Sequence, residues 1–411
     1  MDFLNGNISS MYGKYLSAAF GSALIGCIYT MVDTAVVGQY QGPQGTAALA
    51  VVAPCWNLIY SLGLLLGAGG GVIFSTHRGS GTGDGSEQQY FTASVIGAAV
   101  LAVLTWLGIW CFETPVLTFF GADAELLPLA QTYLKPVKFV FPLFLVNEML
   151  MFFLQTDGNP GRATLAILSG GIFNIFGDIF FVFGCDMGIF GAGLATAIGA
   201  AISTCVMLTH FLSRKNTLCL VKPTHRLRRL REVFATGFST FFVDMAMGIL
   251  TVLFNRQIMK YLGANALSVY GPIIQVSTFA QCCAYSVGQA AQPIIATNFG
   301  AGKGGRIRQV LRLALGTSAF FGVFWTALSV ACPKLYIRIF MVPTEEILAI
   351  APGIIRTYAV SFLLLPFNIF STYYFQAIMK PKAAFVVSVA RGLVISGSLI
   401  LVLPRIAGGN A

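Results

Sequence analysis

With 411 residues, 56% of them hydrophobic and 10% charged, and a mean hydropathy of +0.78, the chain is too apolar for a soluble domain. It reads as a polytopic helical membrane protein. The net charge of +10 is not gathered into one basic patch beside aromatic platforms, so nucleic acid is excluded as a partner.

Nine cysteines lie mostly inside apolar segments, and the only histidines are His77, His210 and His225. No metal-ligand spacing appears, and the cysteines read as buried small apolar residues. The amino terminus lacks a basic leader with a small-residue cleavage site, so the first apolar run is expected to be a retained span.

Apolar runs bounded by Gly, Pro and charge predict eleven spans, at about 11–39, 46–76, 89–112, 124–155, 162–184, 189–212, 231–261, 265–298, 306–332, 345–378 and 382–404. Many exceed the ~20 residues a bilayer requires, so tilt or projection beyond it is expected. Loops after even-numbered spans, with Lys14, hold 16 of the 25 Lys and Arg; the opposite face holds 6 and the spans themselves 3. The positive-inside rule therefore predicts a cytoplasmic amino terminus and cytoplasmic even loops.

The longest polar connection, 213–232, predicts a boundary between two halves. These are an amino-terminal lobe over 1–213, a cytoplasmic linker over 214–231 and a carboxy-terminal lobe over 232–411. The halves echo one another. Gly45-Thr-Ala-Ala-Leu-Ala-Val-Val-Ala-Pro54 matches Gly263-Ala-Asn-Ala-Leu-Ser-Val-Tyr-Gly-Pro272 at an offset of 218. Gly79-Ser-Gly81 matches Gly300-Ala-Gly302, and Pro160 matches Pro381, at 221. A period containing six spans makes the copies parallel. Adding 221 to Gly191 passes the last residue, so a twelfth span is expected in longer kin and missing here.

Two carboxylates, Asp33 and Asp178, sit deep in apolar runs. Asn174 lies one helical turn before Asp178 on the same face. Charge at membrane depth is costly and marks function more often than packing. The alternative is a structural hydrogen bond pinning spans 1, 5 and 6 together.

Val32-Asp-Thr-Ala-Val-Val-Gly38, Asp157-Gly-Asn-Pro-Gly161, Asn174-Ile-Phe-Gly-Asp178, Gly191-Ala-Gly-Leu-Ala-Thr196, Gln292-Pro293 and Asn298-Phe-Gly-Ala-Gly302 occur in this order. Together they resemble the multidrug and toxic compound extrusion (MATE) family, in particular its bacterial DinF-like branch. The resemblance implies an all-α polytopic protein of two pseudo-symmetric six-helix lobes with parallel repeats. It also implies efflux of drug-like compounds by antiport with H⁺ or Na⁺ as lobes rock about a central cavity. The cation site it implies consists of Asp33, Asn174, Asp178 and Thr196, whose oxygens suit a hard cation. No cofactor beyond the coupling ion is implied. The expected form is a monomer in the bacterial inner membrane, bound to lipids and to a small-molecule substrate.

The candidate substrate cavity takes Asp244, Gln275, Gln289, Gln292, Tyr270 and Asn368. Asp244 lies about one turn from the acid of the NorM-like branch, and pairing with Gln275 or Arg256 is its structural alternative. Glu148 stands evenly between function and neutralisation by Lys138 or Arg391. On span 8, Gln275, Cys282, Gln289 and Gln292 share one helical face, which predicts cavity lining. The glycine runs 67–71 and 79–85 follow no strand and precede no Gly-Lys-Ser/Thr, so nucleotide binding is not indicated. No nucleophile–base pair lies at depth, so no enzyme is expected. The competing transport reading is a lipid-linked precursor flippase, which would favour a strongly basic cavity.

Overall fold

In the computed structural model, which describes residues 2–81, 85–222, 224–261, 263–340 and 345–406, no strand occurs among the described residues. The helices are α1 (Ile8–Gly42), α2 (Gln44–Ser80), α3 (Ser86–Phe119), α4 (Leu126–Thr156), α5 (Pro160–Gly184) and α6 (Gly188–Leu212). There follow α7 (Arg226–Tyr261), α8 (Gly263–Gly300), α9 (Gly304–Ala331), the short α10 (Pro333–Phe340), α11 (Glu345–Ala377) and α12 (Pro381–Pro404). Each of the eleven expected spans coincides with a long helix. Nine are apolar enough along the described residues to cross a bilayer by composition alone. The other two, α7 and α8, carry polar residues such as Thr236, Thr240, Asp244, Gln275 and Gln289 along their inner faces.

Spans 1 and 2 are separated by a single point of broken helix. Gly42 has φ +70° and ψ −158°, a conformation open only to glycine, and it turns the chain back. Helix α7 begins at Arg226, inside the segment read as the linker, and residues before it are docked on α3. Gln88 Nε2 donates to the Thr217 carbonyl at 2.8 Å, and the Cys219 and Val221 amides donate to Gln88 and Thr92 of α3 at 3.0 Å. Residues 82–84 of the second glycine run and 407–411, where a twelfth span was expected to approach, lie outside the described residues.

In lipid, helix association relies on small residues and polar contacts more than on hydrophobic burial. At the basic-loop end, α2 and α8 cross with backbones nearly touching. A Cβ on Gly79 would lie 1.9 Å from the Thr297 carbonyl oxygen, and one on Gly300 the same distance from that of Thr76. The offset of 221 exchanges Thr76 with Thr297 and Gly79 with Gly300, so the axis relating the repeats passes through this crossing.

The same end carries the ties between the halves. Phe3, Ile8, Met11, Tyr12 and Tyr15 pack among Val287, Ile294 and Val310 of α8 and α9. Arg306 donates to the Phe3 and Gly6 carbonyls at 3.1 and 2.7 Å, and Lys303 donates to that of Leu4 at 2.9 Å. Within the first half, buried Asp157 at the end of α4 gathers Arg78 (3.1 Å), His210 (2.7 Å), the Thr217 amide (3.0 Å) and the Thr217 hydroxyl. Burial alone would raise this carboxyl. The hydrogen bonds from His210 and Thr217 and the Arg78 charge outweigh it and hold Asp157 below the ordinary carboxylate range.

Candidate cation and substrate sites

The first site forms where α1, α4, α5 and α6 converge. The approach of α5 to α6 is set by glycine: a Cβ on Gly170 would meet the Gly199 carbonyl oxygen at 2.4 Å. Asn147 on α4 holds α6 through the Ala200 carbonyl at 3.1 Å and the Thr204 hydroxyl at 2.8 Å. Just beyond Asp178 the helix widens into a π-turn over Phe180–Gly184, a distortion common at functional sites.

This packing brings together all four residues expected to bind the cation. The Tyr133 hydroxyl donates to Asp33 Oδ2 at 3.2 Å and lies 3.4 Å from Thr196 Oγ1, to which Asn174 Nδ2 donates at 3.1 Å. Asp178 is fully buried and close enough to Asp33 and Tyr133 to interact electrostatically with both. Four oxygens here, Asp33 Oδ1, Asn174 Oδ1 and both of Asp178, are buried without a hydrogen-bond partner. Orphaned buried acceptors are expensive. They constitute an oxygen-donor nest that a proton or a hard cation would satisfy. Tyr133 is the member that sequence reasoning missed.

Asn174 and Thr196 also line a central cavity of about 560 Å³ lying between the halves, so the acids stand just behind its wall. Asp244, Gln275 and Gln289 line it as expected, together with Glu148, Tyr60 and Tyr285. Asp244 accepts from the Ser61 hydroxyl rather than pairing with Gln275 or Arg256. Glu148 is not neutralised by either proposed partner: Lys138 pairs with Glu113 at 2.5 Å, and Arg391 lines a different cavity. Tyr29 and Tyr60 are linked at 3.0 Å on the wall beside Glu148.

Three expected cavity residues lie elsewhere. Gln292 is buried and donates to Gln376 Oε1 at 3.0 Å, while Gln376 donates to Ser239 at 2.8 Å; this network joins α8, α11 and α7. Helical spacing aligned Gln292 with Gln275 and Gln289, but toward the basic face the same stripe meets neighbouring helices instead of open space. Tyr270 and Asn368 line a second cavity of about 460 Å³ within the carboxy-terminal half, where Tyr270 stacks on Phe254.

The MatE family model matches residues 18–180 and, a second time, residues 238–399. The chain belongs to the MatE family. The two matched segments are the two repeats, and this is a family of membrane transporters rather than of enzymes. Among curated relatives, the MATE chain is 24% identical over 378 residues to the multidrug export protein MepA of Staphylococcus saprophyticus, covering 91% of this chain and 82% of the relative. MepA of Staphylococcus aureus strain MSSA476 is likewise 24% identical over 379 residues, with 90% and 82% covered.

Its fold matches that of a multidrug resistance MATE transporter in an outward-facing conformation with a TM-score of 0.89 at 18% identity, covering 96% of this chain and 88% of that one. A MOP-superfamily transporter from Pyrococcus furiosus, described as having a binding pocket of reversed polarity, matches at 0.88 and 17% identity, with 97% and 90% covered. The protein is thus a multi-pass MATE efflux transporter.

Proposed function

We propose that this transporter exports amphipathic, often cationic organic compounds by antiport with H⁺ or Na⁺. The observation that carries the reading is the nest of partnerless buried oxygens on Asp33, Asn174 and Asp178 beside Thr196 and Tyr133. Two carboxylates removed from water need a compensating positive charge. A proton or Na⁺ would supply it, and would be taken up or released as the wall between nest and central cavity changes shape.

Glu148 and Asp244 offer negative charge to a cationic substrate, and Tyr60 and Tyr285 offer ring faces. The names of the MepA relatives support the drug-export reading. Among the described residues, the central cavity's lining includes two carboxylates and no Lys or Arg, which disfavours a flippase for phosphate-bearing lipid precursors.

The lobes would rock about the α2–α8 crossing. The positive-inside rule sets the basic loops and amino terminus in the cytoplasm of a bacterial inner membrane. On that orientation the ties of residues 3–15 to α8 and α9 close the cytoplasmic side.

The test is efflux of a fluorescent organic cation from vesicles with proton and sodium gradients imposed separately. Asp33→Asn and Asp178→Asn should each abolish gradient-driven export while the protein still inserts. Wild-type-like transport by both would refute the coupling scheme.

A further inference from the structure

We infer that the cavity inside the carboxy-terminal half is a binding site for an amphipathic organic anion, with Arg391 as its charged anchor. The cavity is bounded by α7, α8, α11 and α12, and its lining carries no Asp or Glu among the described residues. Among the described residues, Arg391 on α12 contributes the only positive charge to that lining. Its Nη1 is buried without a hydrogen-bond partner, and no acid among the described residues forms an ion pair with it. A guanidinium at membrane depth normally pairs with an acid or a backbone carbonyl, and one without either is a functional-site signal. Its planar array of donors matches a carboxylate or phosphate.

Arg391 sits in a π-turn over Ala390–Ile395, a second and independent mark of a built site. The remaining wall suits the body of such a ligand. Gln281, Tyr358 and Asn368 offer hydrogen bonds, while Tyr270 stacked on Phe254 offers a flat apolar face. Tyr285 lines both this cavity and the central one, so it stands between the arginine and the acids Asp244 and Glu148. The two cavities thus meet at one tyrosine with opposite charge on either side.

The shared chemistry is a single carboxylate or phosphate on an apolar body, supplied by a soluble organic anion or by a lipid headgroup. The test is calorimetric binding of 2-naphthoate and of neutral 2-naphthylmethanol to the full chain in nanodiscs of phosphatidylcholine. Wild type should bind the carboxylate at least tenfold more tightly than the alcohol. Arg391→Gln should remove that preference and leave the alcohol unchanged, whereas Arg391→Lys should keep part of it.

Adding phosphatidylglycerol to the discs separates the sources. Competition with naphthoate that vanishes in Arg391→Gln identifies a lipid headgroup as occupant, and lack of competition identifies the soluble anion. Equal binding of the two probes by wild type, a measurement that needs no variant, would overturn the inference. So would an anion preference that survives Arg391→Gln. Because binding is read without transport, the result stands apart from the ion-coupling proposal.

Discussion

The two halves of the chain repeat one helical plan but hold opposite charge in their own interiors, Asp33 and Asp178 in the first and Arg391 in the second. The offset of 221 takes Asp178 onto Leu399 and Asn174 onto Ile395, and it takes Gly170 onto Arg391. In the first half Gly170 lets α5 and α6 touch, and the polar groups come from α1, α4, α5 and α6. In the second half the same position carries a guanidinium, and Leu399 lines the cavity where the first half has an acid. Small residues at helix crossings fix the backbone, so the side chains around each cavity are free to diverge. The shared scaffold therefore says little about what each half binds.

The largest expected effect breaks the halves apart directly. Asp178→Asn should reduce gradient-driven efflux by about tenfold or more, because it removes a charge on which coupling depends. Leu399→Asn, the same side chain at the matching position, should leave coupled efflux near wild type. Equal damage from both in the vesicle assay would mean that the positions share a structural role.

Next in size is the buried cluster at the end of α4, where the offset of 221 puts Ile378 at the position of Asp157. Asp157→Ala strands His210 and Arg78, and should cost about 3 kcal/mol of stability, the lower end for a broken buried pair because Arg78 keeps some contact with solvent. The native carboxyl is held below its unfolded value near 3.9, so its contribution is complete above that pH and fades only as pH falls through the lower native value. Thermal unfolding in detergent should therefore show a gap between wild type and Asp157→Asn that is present at about pH 5 and closes below about pH 4.

How far these features were legible in the sequence depends on how rare each residue type is in its surroundings. Asp33, Asn174 and Asp178 stand out because acids and amides are scarce in apolar helices, and their meeting follows from that cost. Tyr133 did not stand out among 14 tyrosines and 35 phenylalanines, although its hydroxyl joins Asp33 to Thr196. Gln292 shares the stripe of Gln275 and Gln289 yet is buried against Gln376, because periodicity identifies a face without saying whether that face meets a cavity or another helix. In the sequence Arg391 reads only as a counter-ion for Glu148. Which cavity a charge enters is set by how four helices pack, and no local pattern encodes that.

A smaller effect tests the symmetry itself. Ala at Gly79 or at Gly300 drives a methyl group against backbone, which cannot swing aside as a side-chain tip can. Each substitution should cost about 1–3 kcal/mol, the usual range for overpacking a tight contact. The two melting temperatures should fall by similar amounts, since the repeat axis exchanges the positions. A marked difference would show that the crossing is held mainly by one half.

The smallest prediction runs in the opposite direction and supplies the control for that crossing. Gly316 lies inside α9 and is exposed, and a Cβ built there meets nothing within 4 Å. No close approach requires glycine at this position, so its backbone freedom in the unfolded chain is a cost without a structural return. Gly316→Ala should raise stability by about 0.5–1 kcal/mol through helix propensity alone. If it instead destabilised the protein as Gly79→Ala does, the penalty at the α2–α8 crossing could not be assigned to steric contact, and helix flexibility would have to account for both.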